Sequence, residues 1–583
     1  MERSRAASNR RSDQWFDRDD LDGFLHRSWL KTEGLTDEAI MHRPVIGICN
    51  SWSELVTCNA HLRQIAEHVK RGVLQAGGLP LEFPVMSPGE ALMKPTTMMY
   101  RNLMAMDVEE SIRGYPLDGV VLLAGCDKTV PGALMGAASA NVPTIMVTGG
   151  PMVNGRWKGE DLGSCTDCWR LYGELRAGTI DEDEWRALET AISRTPGHCM
   201  TMGTASTMAC LTEALGMTPA GAAAAPAVHA RRAQIAEKAG RQIIDLVNAD
   251  IRPRDILQPG AFENAIRVLH AISGSTNGIV HLLALAGRVG VPLSLDEFDR
   301  LSEETPWIAN IKPAGTKLLE DLYYAGGLPA VMREIADLLD LERMTVSGRT
   351  IGEVIAEAEP GEQPADGDRS VVASRQQPLS DHGGLVVLRG NLCPDGAILK
   401  RAAATPELLE HEGVAVVFED FEDLGARIDD PDLPVDPSSV LVLKQGGPVG
   451  GPGMPEWGSL PIPKKLLEQG VRDLVRISDA RMSGTSYGTV ILHVSPESAI
   501  GGPLALVENG DRIRLSAEAR TLDLMISDEE IERRRAGWSP PAVRVERGYV
   551  AMYQDHVMQA DRGCDLDFLL GGSPVVEQAR TYG

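Results

Sequence analysis

The sequence predicts an α/β fold followed by a β-rich second domain, and three observations carry that prediction. Short Val/Ile/Leu runs alternate with helical patterns up to about residue 150, as a parallel sheet with helical crossovers requires. A polar segment rich in Pro and Gly, Glu357 to Gln377, then interrupts the chain. Beyond it, strand-like runs predominate. A chain of 583 residues exceeds one hydrophobic core, so roughly two to four domains are expected. The predicted division is 1–375 and 379–583, with a linker over about 357–378.

The first thirty residues are polar and are expected to wrap the surface. Pro44-Val-Ile-Gly-Ile-Cys49 reads as a strand. His61 to Gln75 is a predicted helix, apolar at Leu62, Ile65, Val69 and Val73/Leu74 and stopped by Gly77-Gly78. Asp118-Gly-Val-Val-Leu-Leu-Ala124 has the length and Val/Leu content of a buried strand, ended by Gly125. A helix rich in small residues, Gly132 to Ala140, leads to the strand Val142 to Thr148, which completes a βαβ unit. Helical periodicity dominates residues 200–350, including the Ala-rich Ala220–Ala230 and the run Ile279–Ala286. After the linker, Gly384–Leu388, Val414–Phe418, Val440–Leu443, Asp473–Ile477, Arg512–Leu515 and Thr521–Ile526 read as strands of a barrel or sandwich.

Composition narrows the function. A net charge of −25 argues against nucleic acid, which demands a basic face. No apolar run reaches 18 residues, which argues against a transmembrane helix. The basic start lacks an apolar region after it and so does not read as a secretory signal, which makes the cytoplasm the expected location. Nine cysteines, an odd number without a secretory signal, favour metal binding or plain burial over disulfides. Cys165-Thr-Asp-Cys168 is a solitary CxxC with no second ligand pair visible in the sequence.

The most informative segment is Leu123-Ala-Gly-Cys126-Asp127-Lys128-Thr129-Val-Pro131. It places a cysteine, an acid and a lysine on the loop at a strand's carboxyl end, where open α/β sheets bind ligands. A thiolate suits iron–sulfur clusters and a carboxylate suits Mg²⁺; a buried cysteine beside a surface ion pair is the plainer alternative. Cys58 and Cys199 also lie in polar loops, and three thiolates brought together would hold an iron–sulfur cluster with one iron open. Their spacing alone specifies no such site. By themselves, Glu90 after Pro-Gly reads as a helix cap, Glu456 as a surface acid, and Ser483-Gly484 as a turn. His198 reads as a space-filling neighbour of Cys199, and Ser275-Thr-Asn-Gly278 as a helix start.

Ala124-Gly-Cys-Asp-Lys-Thr-Val-Pro-Gly-Ala133 resembles the signature loop of the dihydroxy-acid dehydratase/phosphogluconate dehydratase family. So do Ser273–Gly278, Gly450-Gly-Pro-Gly-Met-Pro-Glu456 and Ser478-Asp-Ala-Arg-Met-Ser-Gly-Thr485, in the family's order, from about Arg43 to the end. The resemblance implies an α/β domain carrying the iron–sulfur site, a C-terminal β-barrel of the swivelling type, and an active site near the interface of a homodimer or homotetramer. It implies Cys58, Cys126 and Cys199 as cluster ligands, and Glu90, Asp127 and Glu456 as ligands of Mg²⁺. Lys128 is implied to be carbamylated by CO₂ and to complete the metal shell, with Ser483 as the base and Thr485 its hydrogen-bonding neighbour. The implied reaction removes a proton from C2 and hydroxide from C3, and the resulting enol becomes a 2-keto-3-deoxy acid.

Within the family, Gly197-His-Cys-Met-Thr-Met-Gly-Thr-Ala-Ser-Thr-Met208 and Glu456-Trp457 are similar to the sugar-acid branch of arabinonate and xylonate dehydratases. The implied substrate is an aldonate, and the implied cluster is [2Fe–2S], with [4Fe–4S] as the other type three cysteines can carry. The near alternative is the dihydroxy-acid dehydratase of branched-chain amino-acid synthesis. The distant one is a non-enzymatic, redox-responsive iron–sulfur protein.

Overall fold

The computed structural model describes residues 10–359, 361, 371–456, 460–541 and 545–571. Part of the predicted linker (360 and 362–370) and Trp457 therefore lie outside the described residues. Four strands form the N-terminal sheet: β1 (Val45–Asn50), β2 (Leu79–Pro84), β3 (Gly119–Ala124) and β4 (Thr144–Thr148). They run parallel in the order β2-β1-β3-β4. Every residue of β1, β3 and β4 is buried, as expected of a parallel sheet covered on both faces.

Helices α1 (Leu62–Gln75), α2 (Thr97–Gly114) and α3 (Thr129–Ala140) fill the first crossovers. The predicted apolar stripe of α1 is the buried one, through Leu62, Ile65, Val69 and Val73. Helix α3 starts three residues before the predicted Gly132, because Pro131 in a first turn removes no intrahelical hydrogen bond. Further along the chain come α4 (Thr166–Ala177), α5 (Thr204–Ala214), α6 (Ala230–Ala249) and α7 (Asn277–Val289). The hairpin β5 (Gly155–Trp157) and β6 (Glu160–Leu162) precedes α4. Helix α6 packs on α1 and the sheet, while α3 packs on α2, α5 and α7. The Ala-rich stretch is not helical as expected: residues 220–229, after Pro219 and containing Pro226, form turns. The buried Glu213 carboxylate closes those turns by accepting from Gly221 N (2.6 Å) and Ala223 N (2.9 Å).

All six predicted C-terminal runs are strands, and two more join them. They are β7 (Val386–Leu388), β8 (Gly396–Leu399), β9 (Glu410–Phe418), β10 (Val440–Leu443), β11 (Val475–Ser478), β12 (Val490–Ser495), β13 (Arg512–Ser516) and β14 (Thr521–Leu524). The order is β14-β13-β9-β10-β11-β12-β8-β7. The edges then meet: Arg389 N donates to Arg520 O (2.9 Å) and Leu522 N to Arg389 O (2.8 Å). That closure makes a barrel of the sheet and leaves no long free edge. The centre, β9 to β12, is parallel, which the sequence reading did not foresee. Among the described residues the crossovers carry only the short helices Phe421–Arg427 and Lys464–Glu468.

Strands β7 and β8 tie the two parts together. Val386, Leu388, Ala397 and Leu399 enter the barrel core, whereas Val387 and Ile398 join the core of the N-terminal part. The period-two alternation of a strand thus serves two cores at once. Among the described residues no helix is long and apolar enough to cross a membrane.

Candidate active site

The Cys126-Asp127-Lys128 loop leaves the carboxyl end of β3 and enters α3 directly. Cys58 sits in the one-turn helix Thr57–Asn59 that follows β1, the neighbouring strand. A side chain at Gly125 would put its Cβ 2.9 Å from Cys58 O and 3.2 Å from Gly149 Cα, so glycine lets the two loops touch. Cys199 reaches the same sheet edge through Met152 N to His198 O (2.8 Å) and His198 N to Gly150 O (3.0 Å), just beyond β4. The proximity of Cys126, together with burial, pushes the Cys58 thiol upward from its ordinary pKa. Cys165, at the start of α4, is the unforeseen member: its Sγ lies 3.4 Å from Cys199 Sγ. His198 Nδ1 is 2.9 Å from the carbonyl of Cys199, and burial holds the ring's pKa down at about 4.

Beside the thiols lies a carboxylate set. Oxygens of Glu90, Asp127 and Glu456 all fall within 4.8 Å of one another. Lys128 is fully buried beneath them, with Nζ 3.1 Å from Asp127, 3.4 Å from Glu90 and 4.0 Å from Glu456. Arg481, also fully buried, spans the set: Nη1 donates to Glu456 (2.7 Å), Nη2 lies 3.4 Å from Glu90, and Nε donates to Met454 O (2.8 Å). Burial opposes the charge on Glu90, but Lys128 and Arg481 outweigh it and hold that acid at about 2. Glu456 is pushed up to about 7, first by burial and then by the Glu90 charge. Burial also raises Asp127. Glu90 does not cap a helix; Thr96 does, accepting from Met98 N (3.2 Å), and Thr97 donates to Glu90.

Ser483 and Thr485 come from the barrel, in the loop after β11. Their hydroxyl oxygens are 2.8 Å apart. Thr166 Oγ1 donates to Thr485 O (2.7 Å), and Trp169 Nε1 donates to Thr485 Oγ1 (3.4 Å), so α4 grips this loop. A Cβ on Gly484 would lie 2.5 Å from Ser275 Oγ and 2.8 Å from Thr204 N. The Ser275–Gly278 segment is therefore scaffolding: Ser275 Oγ lies 2.9 Å from Thr204 Oγ1, and Asn277 Nδ2 donates to Thr204 Oγ1 (2.9 Å). Two buried acids fix the neighbouring loops. Glu497 accepts from Val449 N (2.9 Å) and Gly450 N (2.8 Å), and Asp479 accepts from Gly446 N (2.8 Å).

One cavity of about 1100 Å³ joins these groups; Cys58, Cys126, Cys199, Glu90, Asp127, Glu456, Ser483 and Thr485 all line it. Gly203, Thr204 and Ala205, at the amino end of α5, line it too, and a helix amino end favours an anion. Every site residue singled out in the sequence thus reaches one place, with Lys128 as its floor. Reading from the sequence missed Arg481 and Cys165. Arg481 stood inside a recognised motif, and an arginine between two glycine-bounded loops was the available signal. For Cys165 the CxxC was the signal, read without its partner.

The cavity thus combines a wall of soft sulfur donors, a floor of hard carboxylate donors and a paired hydroxyl. The family model for the N-terminal part of dihydroxy-acid/6-phosphogluconate dehydratases matches residues 43–354, and its C-terminal counterpart matches 370–564. The chain is 52% identical over 570 residues to an L-arabonate dehydratase of Azospirillum brasilense, covering 96% of this chain and 97% of that one. It is 49% identical to a 6-deoxy-6-sulfo-D-gluconate dehydratase of Pseudomonas putida over 97% of each chain. Identity is 42% to a dihydroxy-acid dehydratase of Pyrococcus abyssi, covering 92% of this chain and 97% of that one. The protein belongs to the dihydroxy-acid/6-phosphogluconate dehydratase family.

Proposed function

We propose that the protein is a sugar-acid dehydratase that converts an aldonate, a pentonate such as arabinonate or xylonate, to its 2-keto-3-deoxy acid. The observation that carries this reading is the single cavity shared by thiols, carboxylates and the Ser483–Thr485 pair. In this reading Cys58, Cys126 and Cys199 hold a [2Fe–2S] cluster, with [4Fe–4S] as the alternative, and Glu90, Asp127, Glu456 and a carbamylated Lys128 hold Mg²⁺. Bound there, the two would supply Lewis-acid stabilisation for charge developing beside the substrate carboxylate and on the departing hydroxide.

The donor sets fit those groups. Thiolates suit iron–sulfur clusters and clustered carboxylates suit Mg²⁺. Glu456, raised to about 7 by burial and the Glu90 charge, marks an acid set short of positive charge. Carbamylation would form an N–C bond between CO₂ and the neutral Lys128 amine and release a proton, turning a cation into an oxygen donor. Arg481 would then be the fixed cation bridging Glu90 and Glu456.

Ser483 acts in this reading as the base, its ionised Oγ taking the C2 proton. Thr485, at 2.8 Å, can donate to that alkoxide and is itself steadied by Trp169. The amino end of α5 offers the substrate carboxylate a positive pole. Lys94, Asp420, Glu422 and Gln445 add polar partners for a polyol chain, interspersed with Leu55, Leu92 and Phe421. The last three are exposed, and we extend the reading to a cytoplasmic homodimer or homotetramer whose interface covers them.

Anaerobic turnover with Mg²⁺ on C5 and C6 aldonates and on 2,3-dihydroxyisovalerate, scored as 2-keto acid, tests the proposal. Activity confined to aldonates is the expected result. Preference for dihydroxyisovalerate would move the protein to the amino-acid branch, and no turnover on any of them would overturn the enzymatic reading.

A further inference from the structure

Cys165 is the one cavity-lining cysteine that the reading above leaves without a role. Its Sγ lies 3.4 Å from Cys199 Sγ, far beyond disulfide length, which is about 2.05 Å. Two sulfurs on one tetrahedral metal, each at about 2.3 Å, stand about 3.7 Å apart, close to the distance seen here. Cys165 thus pairs with Cys199, while Cys58 and Cys126 line the same cavity from the two touching loops after β1 and β3. A [2Fe–2S] cluster held entirely by protein takes four cysteine thiolates, two to each iron.

The other half of the CxxC does not share this placement. Cys168, one turn along α4, packs with Leu162, Leu171, Leu188 and Ile192. Cys165 itself has φ +63° and ψ −52°, a backbone region that a non-glycine residue occupies only when its surroundings hold it there. The next residue, Thr166, donates to Thr485 O, so Cys165 stands on the side of the cavity that the Ser483 loop closes. Cys58 and Cys126, by contrast, are wedged between the β1 and β3 loops.

We propose that Cys165 is a fourth thiolate of the iron–sulfur site, sharing an iron with Cys199 in the resting protein and giving way when substrate enters. This rests on the iron–sulfur reading above. Ligation releases the thiol proton to solvent through the open cavity. When the substrate takes the position, the thiolate leaves and recovers a proton, and no electrons change hands.

The test compares full-length, anaerobically purified wild type with Cys165→Ser and Cys165→Gly; glycine adopts the positive φ without cost, so this variant keeps the fold. Iron and acid-labile sulfide are counted, and visible circular dichroism and the electron paramagnetic resonance of the reduced protein are recorded with and without L-arabinonate. The expected result is a wild-type spectrum that changes on adding L-arabinonate. Both variants should retain iron and sulfide within about 2-fold, start from a shifted spectrum and respond little. Variants that match wild type with and without L-arabinonate would overturn the proposal, while loss of the cluster in Cys58→Ser would show that the underlying reading stands. Wild type that holds neither iron nor sulfide would overturn both.

Discussion

The thiol wall and the carboxylate floor of the cavity are built in different ways. The thiols come from the N-terminal part, with Cys58, Cys126 and Cys199 meeting at one edge of its parallel sheet, where Gly125 lets two loops touch. The hard donors are split: Glu90 and Asp127 come from the N-terminal part, and Glu456 comes from the barrel. Two buried cations bridge them: Arg481, reaching from the barrel to both Glu90 and Glu456, and Lys128, reaching from the N-terminal part to all three acids. The thiol site is thus set by one sheet, whereas the acid site and the Ser483–Thr485 pair exist only where two cores close on each other. A perturbation of the barrel loops is expected to change the second and spare the first.

The sharpest version of that contrast is Ser483→Ala. Loss of a positioned base is expected to lower turnover by about 10³-fold, while iron content and visible spectrum match wild type. A lost spectrum would mean that the two walls are not independent. Next comes Arg481→Met, which removes the arginine from Glu90 and Glu456 and leaves Lys128 as the cation facing both. Destabilisation of about 3–5 kcal/mol is expected in chelator, with part of it recovered when Mg²⁺ is added; denaturant titration in each condition measures it. No recovery with Mg²⁺ would break the link between this acid set and a divalent cation.

Acid stability sharpens the comparison less strongly, because buried histidines occur in both parts. Burial depresses His270, in the N-terminal part, and His493, in the barrel, to about 3. A depressed histidine contributes stability that is present in full above its unfolded pKa near 6.5 and is lost as pH falls toward the folded value. Each histidine's own contribution should therefore be flat above pH 6.5 and decline below it, by about 2–3 kcal/mol at pH 4.5. His270→Asn and His493→Asn should each flatten that decline when unfolding is followed from pH 7 to 4.5. The smallest expected effect is that of Gly484→Ala, whose new Cβ meets Ser275 Oγ and Thr204 N. About 1–3 kcal/mol of overpacking is expected, visible as a lower unfolding midpoint with the cluster spectrum unchanged.

The Cys126-Asp127-Lys128 loop was legible because its position follows from local facts: an apolar run of strand length, a glycine, and the rule that open sheets bind ligands at strand ends. Helix α1 was legible for the same reason, since its stripe repeats at helical spacing. The approach of Cys165 to Cys199 was not, because two helices, α4 and Glu182–Ile192, lie between them in sequence and no local pattern tells how that excursion returns. Arg481 was hidden because its role is to span two loops far apart in the chain. The parallel centre of the barrel was missed because, among the described residues, its crossovers carry only short helices rather than long helical runs. The Ala-rich stretch misled for another reason: alanine favours helix, but Pro219, Pro226 and the Glu213 carboxylate impose turns that propensity does not register.

The central claim is that a soft-metal site and a hard-cation site face one another across one cavity. It is tested most directly by replacing Mg²⁺ with paramagnetic Mn²⁺ in the iron-loaded, dithionite-reduced protein and recording the cluster's electron paramagnetic resonance. The account predicts that bound Mn²⁺ broadens the cluster signal and speeds its relaxation, and that Glu456→Gln abolishes both effects while leaving the cluster signal in place. Stoichiometric Mn²⁺ binding that leaves the cluster signal untouched would contradict it.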